Sequence, residues 1–332
     1  MQGWSRDFSQ DDAVAFVAKA GRDQPGLAGS WHQFAIADPD DDRLLGDIGW
    51  YSDLAAGHAR IGWTVHPRER GRGIAAEAAA AVIEFMRSVA EVRTLEADAL
   101  ADNVASMRVL QQLGFTRSPA PPKIIDVGGT EIAEIDYRLD PSAPARSPLV
   151  ALLAGGRSTR MGADKARTQL DGRPMAHWVR DAAASAGLEV VVSGPDDAGT
   201  GCIHVPDSPD HPDALGPMVG LRSVMDANPD RPVILLATDQ PLVAPATLLQ
   251  LAMSTAATAT IPFDDGHPQV TCARYDDRAA ISRLPRLREV LDDPGTNVVS
   301  VEEWGLWGES GRSFWSLDTP EALARAEAAI RS

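Results

Sequence analysis

Cysteine is scarce: the chain has two, Cys202 and Cys272, far apart and with no second cysteine or histidine at metal-ligand spacing. That excludes a disulfide framework and a zinc finger, and leaves two core thiols of the kind tolerated in a reducing cytoplasm. Long apolar runs are also missing. None approaches the roughly 18 to 20 residues a helix needs to cross a bilayer. The opening MQGWSRDFSQDD has neither a basic start nor an apolar segment, so no secretory leader is expected. Positive charge is in deficit: 31 Lys and Arg face 47 Asp and Glu, a formal net charge of -16. Such a surface repels nucleic acid and anionic membrane. It repels a free nucleotide too, unless a cationic pocket or a metal ion reverses the field locally. Any cluster of basic residues is therefore informative. Repeats and low-complexity tracts are absent. The expectation is a cytoplasmic protein acting on small molecules, with no nucleic-acid or membrane partner.

What is present suffices for two cores: 332 residues, 44% of them hydrophobic. The segment D-P-S-A-P-A-R-S-P, from Asp140 to Pro148, has no hydrophobic period and reads as a linker. It divides the chain into residues 1–140, a linker at 141–147, and residues 148–332. Ahead of the linker the pattern predicts strands from Trp31 to Ala37, Leu44 to Tyr51, Arg60 to Val65, Thr94 to Ala99 and Glu131 to Leu139. Helices are expected from Ile74 to Ser88 and from Val104 to Leu113, the second stopped by Gly114. Behind the linker, strands and helices alternate. The strands run from Leu149 to Leu153, Glu189 to Ser193 and Pro232 to Ala237; the helices from Met175 to Ala186, Pro217 to Ala227, Ala244 to Ser254 and Thr319 to Ile330. The expected fold is α/β throughout: a mixed α/β sheet domain, then a Rossmann-like three-layer αβα domain on a mainly parallel sheet.

Directly after the strand ending at Leu153 lies L-L-A-G-G-R-S-T-R-M-G-A-D-K, from Leu152 to Lys165. Gly155 and Gly156 permit a sharp turn and close backbone approach to a ligand. Exposed amides surrounded by Arg157, Arg160 and Lys165 make a cradle for a triphosphate. The place, at the carboxyl end of a strand, is where open α/β sheets bind ligands. A Walker A loop does not fit, because Lys165 is displaced from the position after Gly162, and the G-x-G-x-x-G fingerprint is absent from this stretch. A glycine turn carrying surface arginines is the bland alternative.

L-A-G-G-x-S-x-R-M-G-x-D-K resembles the signature of the molybdenum cofactor guanylyltransferases, MobA-like members of the glycosyltransferase-A-type nucleotidyltransferases. The likeness spans nearly all of residues 148–332. D-A-L-G-P-M-V-G-L, from Asp213, is similar to the family segment that helps hold the guanine nucleotide. The resemblance thus implies nucleotide contacts from Leu153, Ala154, Gly155, Gly156, Arg157, Ser158, Lys165, Asp213, Gly216, Gly220 and Asp239. A-T-D-Q-P, from Ala237, sits where the family has C-D-M-P, which implies Asp239 as the magnesium ligand. A turn aspartate before Pro241 is the alternative. The implied reaction is transfer of GMP from GTP to molybdopterin, with magnesium as cofactor and Arg160, Lys165 and Asp239 as the catalytic set. On the acceptor side it implies His267 of D-D-G-H-P-Q-V, and Ser316 and Asp318 of F-W-S-L-D-T-P-E, where the family has paired asparagines. Asp318 could instead supply a second metal ligand, as in related cytidylyl- and sugar-nucleotidyltransferases, or cap the last helix. His267 could be a plain loop histidine. Cytidylyl transfer to molybdopterin and another NTP transfer are the rival readings.

In the N-terminal part R-E-R-G-R-G, from Arg68 to Gly73, follows a strand and opens the helix at Ile74. Glycines and the first amides of a helix point at a pyrophosphate; an arginine-rich surface turn explains the same letters. The order strand, R-x-x-G-x-G, Ala-rich helix, strand E-A-D-A, Asn103-Val-Ala-Ser106 and L-G-F resembles the GNAT N-acetyltransferases, particularly the ribosomal-protein-acetylating type, over about Trp4 to Leu139. The resemblance implies acetyl-CoA on Val65, Arg68, Arg70, Gly71, Arg72 and Gly73, with Asn103 beside the pantetheine arm. The tyrosine that many members use to protonate the thiolate falls at Leu110, and Ser106 is the substitute. The implied acceptor is an amine or a protein N-terminus. Set against the family's pattern, the resemblance implies that a first strand-helix unit is missing ahead of the G-W-S-R-D-F segment. The half therefore reads as an acetyltransferase, a non-catalytic coenzyme A-binding module, or a truncated scaffold.

Overall fold

The computed structural model describes residues 9–21, 29–53, 57–89, 92–140, 147–155 and 165–331. The described residues fall into two compact units, one drawn from 1–100, 112–123 and 134–145, the other from 101–111, 124–133 and 146–332. Ser9 starts the first helix. Its Oγ accepts the Asp12 N–H at 3.1 Å, and the Asp12 carboxylate accepts the Ser9 N–H at 2.9 Å. This reciprocal cap opens α1, Gln10–Ala20, a helix absent from the sequence reading.

Then follow β1 (Ser30–Ala37), β2 (Leu44–Asp53), β3 (His58–Val65), α2 (Ile74–Val89), β4 (Thr94–Leu100), α3 (Val104–Gln112), β5 (Thr116–Arg117), β6 (Lys123–Asp126) and β7 (Glu131–Leu139). Gly114, at φ 85°, ends the α3 region as expected. The sheet order is β1-β2-β3-β4-β7-β5, with β6 beside β7. Its β3–β4 pair is parallel, while β1–β2, β2–β3, β4–β7 and β5–β7 are antiparallel, so the sheet is mixed. Side chains alternate between faces. Ile48, Trp50, Ile61, Leu95, Ala97, Ile135 and Tyr137 are buried. The alternate positions Arg60, Asp98 and Asp136 form an ion-paired polar face. Pairing of β3 with β4 covers only His58↔Thr94 to Arg60↔Glu96, and past that point the two strands part.

The second sheet begins with β8 (Leu149–Leu153), followed by a small ladder of β9 (Gln169–Leu170) and β10 (Arg173–Pro174). After it come α4 (Met175–Ser185), β11 (Glu189–Ser193), β12 (Ile203–Val205), α5 (Pro217–Ala227), β13 (Val233–Ala237), α6 (Pro245–Met253), β14 (Ala259–Asp264), β15 (His267–Pro268) and β16 (Cys272–Tyr275). The chain closes with α7 (Arg278–Ile281), β17 (Thr296–Val299), α8 (Val301–Gly305) and α9 (Pro320–Arg331). Leu149, Ala151 and Leu235 pack with Met218, Leu221 and Val224 of α5. Val150, Leu152, Ile234 and Leu236 point to the opposite face and are equally buried, where α4 and α6 touch β8 and β13. Helices thus cover both faces, giving the three layers expected.

The sheet is mainly parallel, as expected, with β14 and β17 also a parallel pair, but it carries an antiparallel insert. β12-β11-β8-β13 is parallel, but β16 runs antiparallel to both β13 and β14. The cause is the hairpin at Asp265 and Gly266, both at positive φ, 45° and 74°, which reverses the chain after β14. The two thiols are free; Cys272 is buried and Cys202 half-buried. Among the described residues no helix is long and apolar enough to cross a membrane.

Two glycines bring the ends of β8, β11 and α5 together. Gly194, at φ 146°, lies so close to the β8 loop that a Cβ there would sit 2.7 Å from the Gly155 nitrogen. Gly220, inside α5, would place a Cβ 2.7 Å from Leu153 Cδ2 and 2.8 Å from Ser193 Oγ. Leu153 can yield by changing rotamer, but Ser193 Oγ donates to Asp207 at 3.1 Å and loses that bond if pushed aside. In an exposed helix, replacing Gly by Ala stabilises by about 1 kcal/mol; overpacking of this kind costs about 1–3 kcal/mol. The overlap outweighs the propensity gain, so Gly220→Ala is expected to lower the melting temperature followed by circular dichroism. A variant as stable as the unaltered protein, or more so, would show that the contact relaxes freely.

Candidate functional site

β8 and β13 are neighbouring parallel strands, and their carboxyl ends open on the same edge of the sheet. From β8 the chain passes Ala154, whose N–H bonds the Ser193 carbonyl at 2.7 Å, to Gly155. Gly156, Arg157, Ser158 and Arg160 lie outside the described residues. Lys165 is the first residue of a 3-10 turn, Lys165–Arg167. From β13 the chain passes the buried Thr238 to Asp239.

Here the sequence-predicted residues converge. Lys165 Nζ donates to Asp239 Oδ2 at 2.8 Å and to Asp318 Oδ1 at 2.7 Å. Ser316 Oγ lies 2.8 Å from Asp318 Oδ1 and 3.3 Å from Asp239 Oδ2. The Leu317 N–H donates to the Asp239 carbonyl at 2.8 Å, which clamps the 316–318 segment onto the end of β13. Burial works against the charge on Lys165, but the hydrogen bonds to Asp239 and Asp318 outweigh it and hold the ammonium above its ordinary pKa. Desolvation pushes Asp318 upward, yet donation from Lys165 and then Ser316 keeps its carboxyl below the usual range.

Asp239, Asp318 and Ser316 offer only hard oxygen donors, the set that suits magnesium rather than a thiophilic ion. The Lys165 ammonium already shows that a cation fits between the two carboxylates. Among the described residues no group of three His, Cys, Asp or Glu side chains could hold a metal. A cation here would take its remaining ligands from substrate and water, as magnesium does at phosphate-transfer sites.

The other predicted positions fall around this centre or apart from it. Gly216, at φ 60°, precedes Pro217 at the start of α5. Both Asp213 oxygens accept from Arg222 Nη1, at 2.9 and 3.0 Å. Arg222 is 4% exposed and also donates to the Leu284 carbonyl at 2.8 Å, tying the Asp213 loop to the chain after α7. His267 Nδ1 bonds the Asp265 carbonyl at 2.6 Å inside the hairpin, not the Lys165 cluster. Sequence reasoning missed Arg222, Ser193 and Gly194. The available signals were an arginine on the apolar face of α5 and two small residues at the end of β11.

In the first sheet the loop from Arg68 to Gly73 connects β3 to α2. Gly71 and Gly73 have φ of 77° and 81°. Arg70 Nε donates to the Val65 carbonyl at 3.2 Å. The loop carries its own counter-charge: the carboxylate of the buried Glu69 accepts from Arg43 Nη1 at 2.7 Å and from Arg72. Donation from Arg43, with Arg72 adding to it, holds Glu69 below the usual carboxylate range. Asn103 Oδ1 accepts the Ser106 N–H at 3.1 Å, so these two predicted residues form the cap of α3.

Comparison with known proteins accounts for both halves. Residues 150–298 match the MobA-like NTP transferase domain, and residues 1–116 the acetyltransferase (GNAT) domain. The molybdenum cofactor guanylyltransferase of Rhodobacter capsulatus is 29% identical over 188 residues, 54% of this chain and 95% of that protein. A probable molybdenum cofactor guanylyltransferase of Nostoc sp. is 30% identical over 179 residues, 52% of this chain and 82% of that protein. The uncharacterized N-acetyltransferase YnaD of Bacillus subtilis is 30% identical over 132 residues, 40% of this chain and 74% of that protein. The chain belongs to two families at once, joining a GNAT acetyltransferase domain to a MobA-like NTP transferase domain.

Proposed function

We propose that the C-terminal part transfers GMP from GTP to a phosphate oxygen of molybdopterin. The observation that carries this reading is the convergence of Lys165, Asp239, Ser316 and Asp318 at the shared end of β8 and β13. The names of the Rhodobacter and Nostoc relatives support the substrate pair. The acceptor oxygen forms a bond to the α-phosphorus of GTP, and the α–β bridging bond breaks, its electron pair leaving with pyrophosphate. Negative charge grows on the non-bridging and leaving oxygens. Lys165, with Arg160 from the phosphate loop, stabilises that charge in place. Asp239 would hold magnesium, which when bound supplies further neutralisation of the phosphates. The Asp213 to Gly220 segment, braced by Arg222, presents the backbone that receives the base.

The N-terminal part binds acetyl-CoA and passes its acetyl group to an amine or a protein N-terminus. Support comes from the parting of β3 and β4, which leaves strand edges free to pair with an extended ligand, and from the left-handed glycines ahead of α2. The amine nitrogen forms a bond to the acetyl carbon, the carbon–sulfur bond breaks, and the proton lost by the amine ends on the departing thiolate of coenzyme A.

The protein mixed with molybdopterin and GTP, CTP, ATP or UTP in turn is expected to release pyrophosphate with GTP. Release with CTP alone would overturn the guanylyl assignment. Lys165→Ala and Asp239→Ala should each slow the reaction by on the order of 10²-fold, the scale of losing one charge-stabilising group, while leaving acetyl-CoA binding unchanged. Loss of both functions would mean that the two parts are not separate.

Calorimetry tests the other half. Acetyl-CoA is expected to bind the full chain, and Gly73→Ala should weaken it by about fivefold or more, because alanine is strained at positive φ. Undiminished binding by that variant would remove the loop from the coenzyme A site.

A further inference from the structure

We propose that Lys165 is the site's own counter-cation: its ammonium occupies the place between Asp239 and Asp318 that the divalent cation takes, and entry of that cation exchanges Lys165 onto the phosphates of the nucleotide. The inference rests on the reading of Asp239 as the metal carboxylate.

The geometry leaves no room for both cations on the same oxygens. Lys165 Nζ bonds Asp239 Oδ2 and Asp318 Oδ1 at 2.8 and 2.7 Å, and Ser316 Oγ closes the gap between the two carboxylates. Magnesium bonds oxygen at about 2.0–2.1 Å. A divalent ion on these oxygens would sit against the ammonium and repel it strongly at such range. Removing the ammonium with nothing in its place would leave two carboxylates side by side in a protein whose net charge is already -16. One cation must therefore replace the other. Two carboxylates and a hydroxyl do not complete an octahedral shell, so a bare ion gains little over the ammonium it displaces. An ion arriving with a triphosphate brings further ligands and also a new anionic partner for Lys165. The lysine thereby couples entry of the cation to entry of the nucleotide, while an ion at millimolar concentration still displaces it by mass action.

This role makes an unusual demand on the variants. A lysine that served only to bind phosphate would not affect metal affinity in the absence of nucleotide. A lysine that competes for the carboxylates would lower it. Titration of the full chain with Mn²⁺ alone, with the free ion read by electron paramagnetic resonance, separates the two. Lys165→Met is expected to bind Mn²⁺ on the order of tenfold more tightly than the unaltered protein, a difference of about 1.4 kcal/mol. Lys165→Arg should show no such gain, and adding Asp318→Asn to Lys165→Met should abolish it. Equal or weaker Mn²⁺ binding by Lys165→Met would overturn the proposal.

A second measurement needs no variant. Millimolar Mg²⁺ should raise the labelling of Lys165 by trinitrobenzenesulfonate, read by peptide mass. Unchanged or reduced labelling would also overturn it. Both readouts are independent of catalysis. A protein that shows the exchange but no GTP turnover would sink the guanylyl reading and leave this one; turnover without exchange would do the reverse.

Discussion

Charge neutralisation between three distant segments of chain organises the C-terminal site. Lys165 follows the phosphate loop, Asp239 follows β13, and Asp318 precedes α9; each alone is an ordinary surface ion. Brought within 2.8 Å of one nitrogen, they fix the loop, the strand end and the C-terminal segment to a common point. Among the described residues one ammonium faces two carboxylates there, so the arrangement is electrostatically incomplete. In a strongly acidic protein that imbalance is the feature that selects cations, and with them the anions that cations carry.

The sheet makes such a meeting feasible. Parallel β8 and β13 deliver their following loops to one edge, which is why ligand sites of open α/β sheets collect there. Gly194 and Gly220 let β11 and α5 close around the start of the loop without side chains intervening. In the first sheet the opening is made differently. There β3 and β4 are neighbours that stop pairing after Arg60 and Glu96, and the glycine turn and α2 follow from the free end of β3.

How much of this was legible depends on the range over which each feature is specified. β8, β11 and β13 were readable because uninterrupted apolar runs of strand length, bounded by turns, have few other meanings. α5 was readable from Gly216 and Pro217 at its start. β14 and β16 were not, because Pro262 interrupts the first and the hairpin residues Asp265 and Gly266 look like loop. α1 was missed although Ser9 and Asp12 spell a cap, since nothing beyond that local pair announces it. Within the site, Lys165 and Asp239 stand out as motif residues. The metal-ligand and cap readings of Asp318 could not be separated from the letters, because its contact with Lys165 spans 153 residues. Arg222 was invisible for a related reason: its function is to satisfy an aspartate and carbonyls on other segments.

The clamp of the Leu317 N–H on the Asp239 carbonyl bears on the order of events during synthesis. β8, α5 and β13 can associate as soon as they leave the ribosome, since their contacts lie within one continuous stretch of chain. The paired acids cannot form until residue 318 has emerged and docked. A nascent chain thus carries a one-to-one pair of Lys165 and Asp239 at the edge of an otherwise finished sheet, and the second acid of the cation pocket is the last piece to join. The same dependence ties the pocket to the packing beneath it: release of the segment from Ser316 to Asp318 would part the paired acids and also draw the buried Leu317 away from Leu170, Met175 and Ala326.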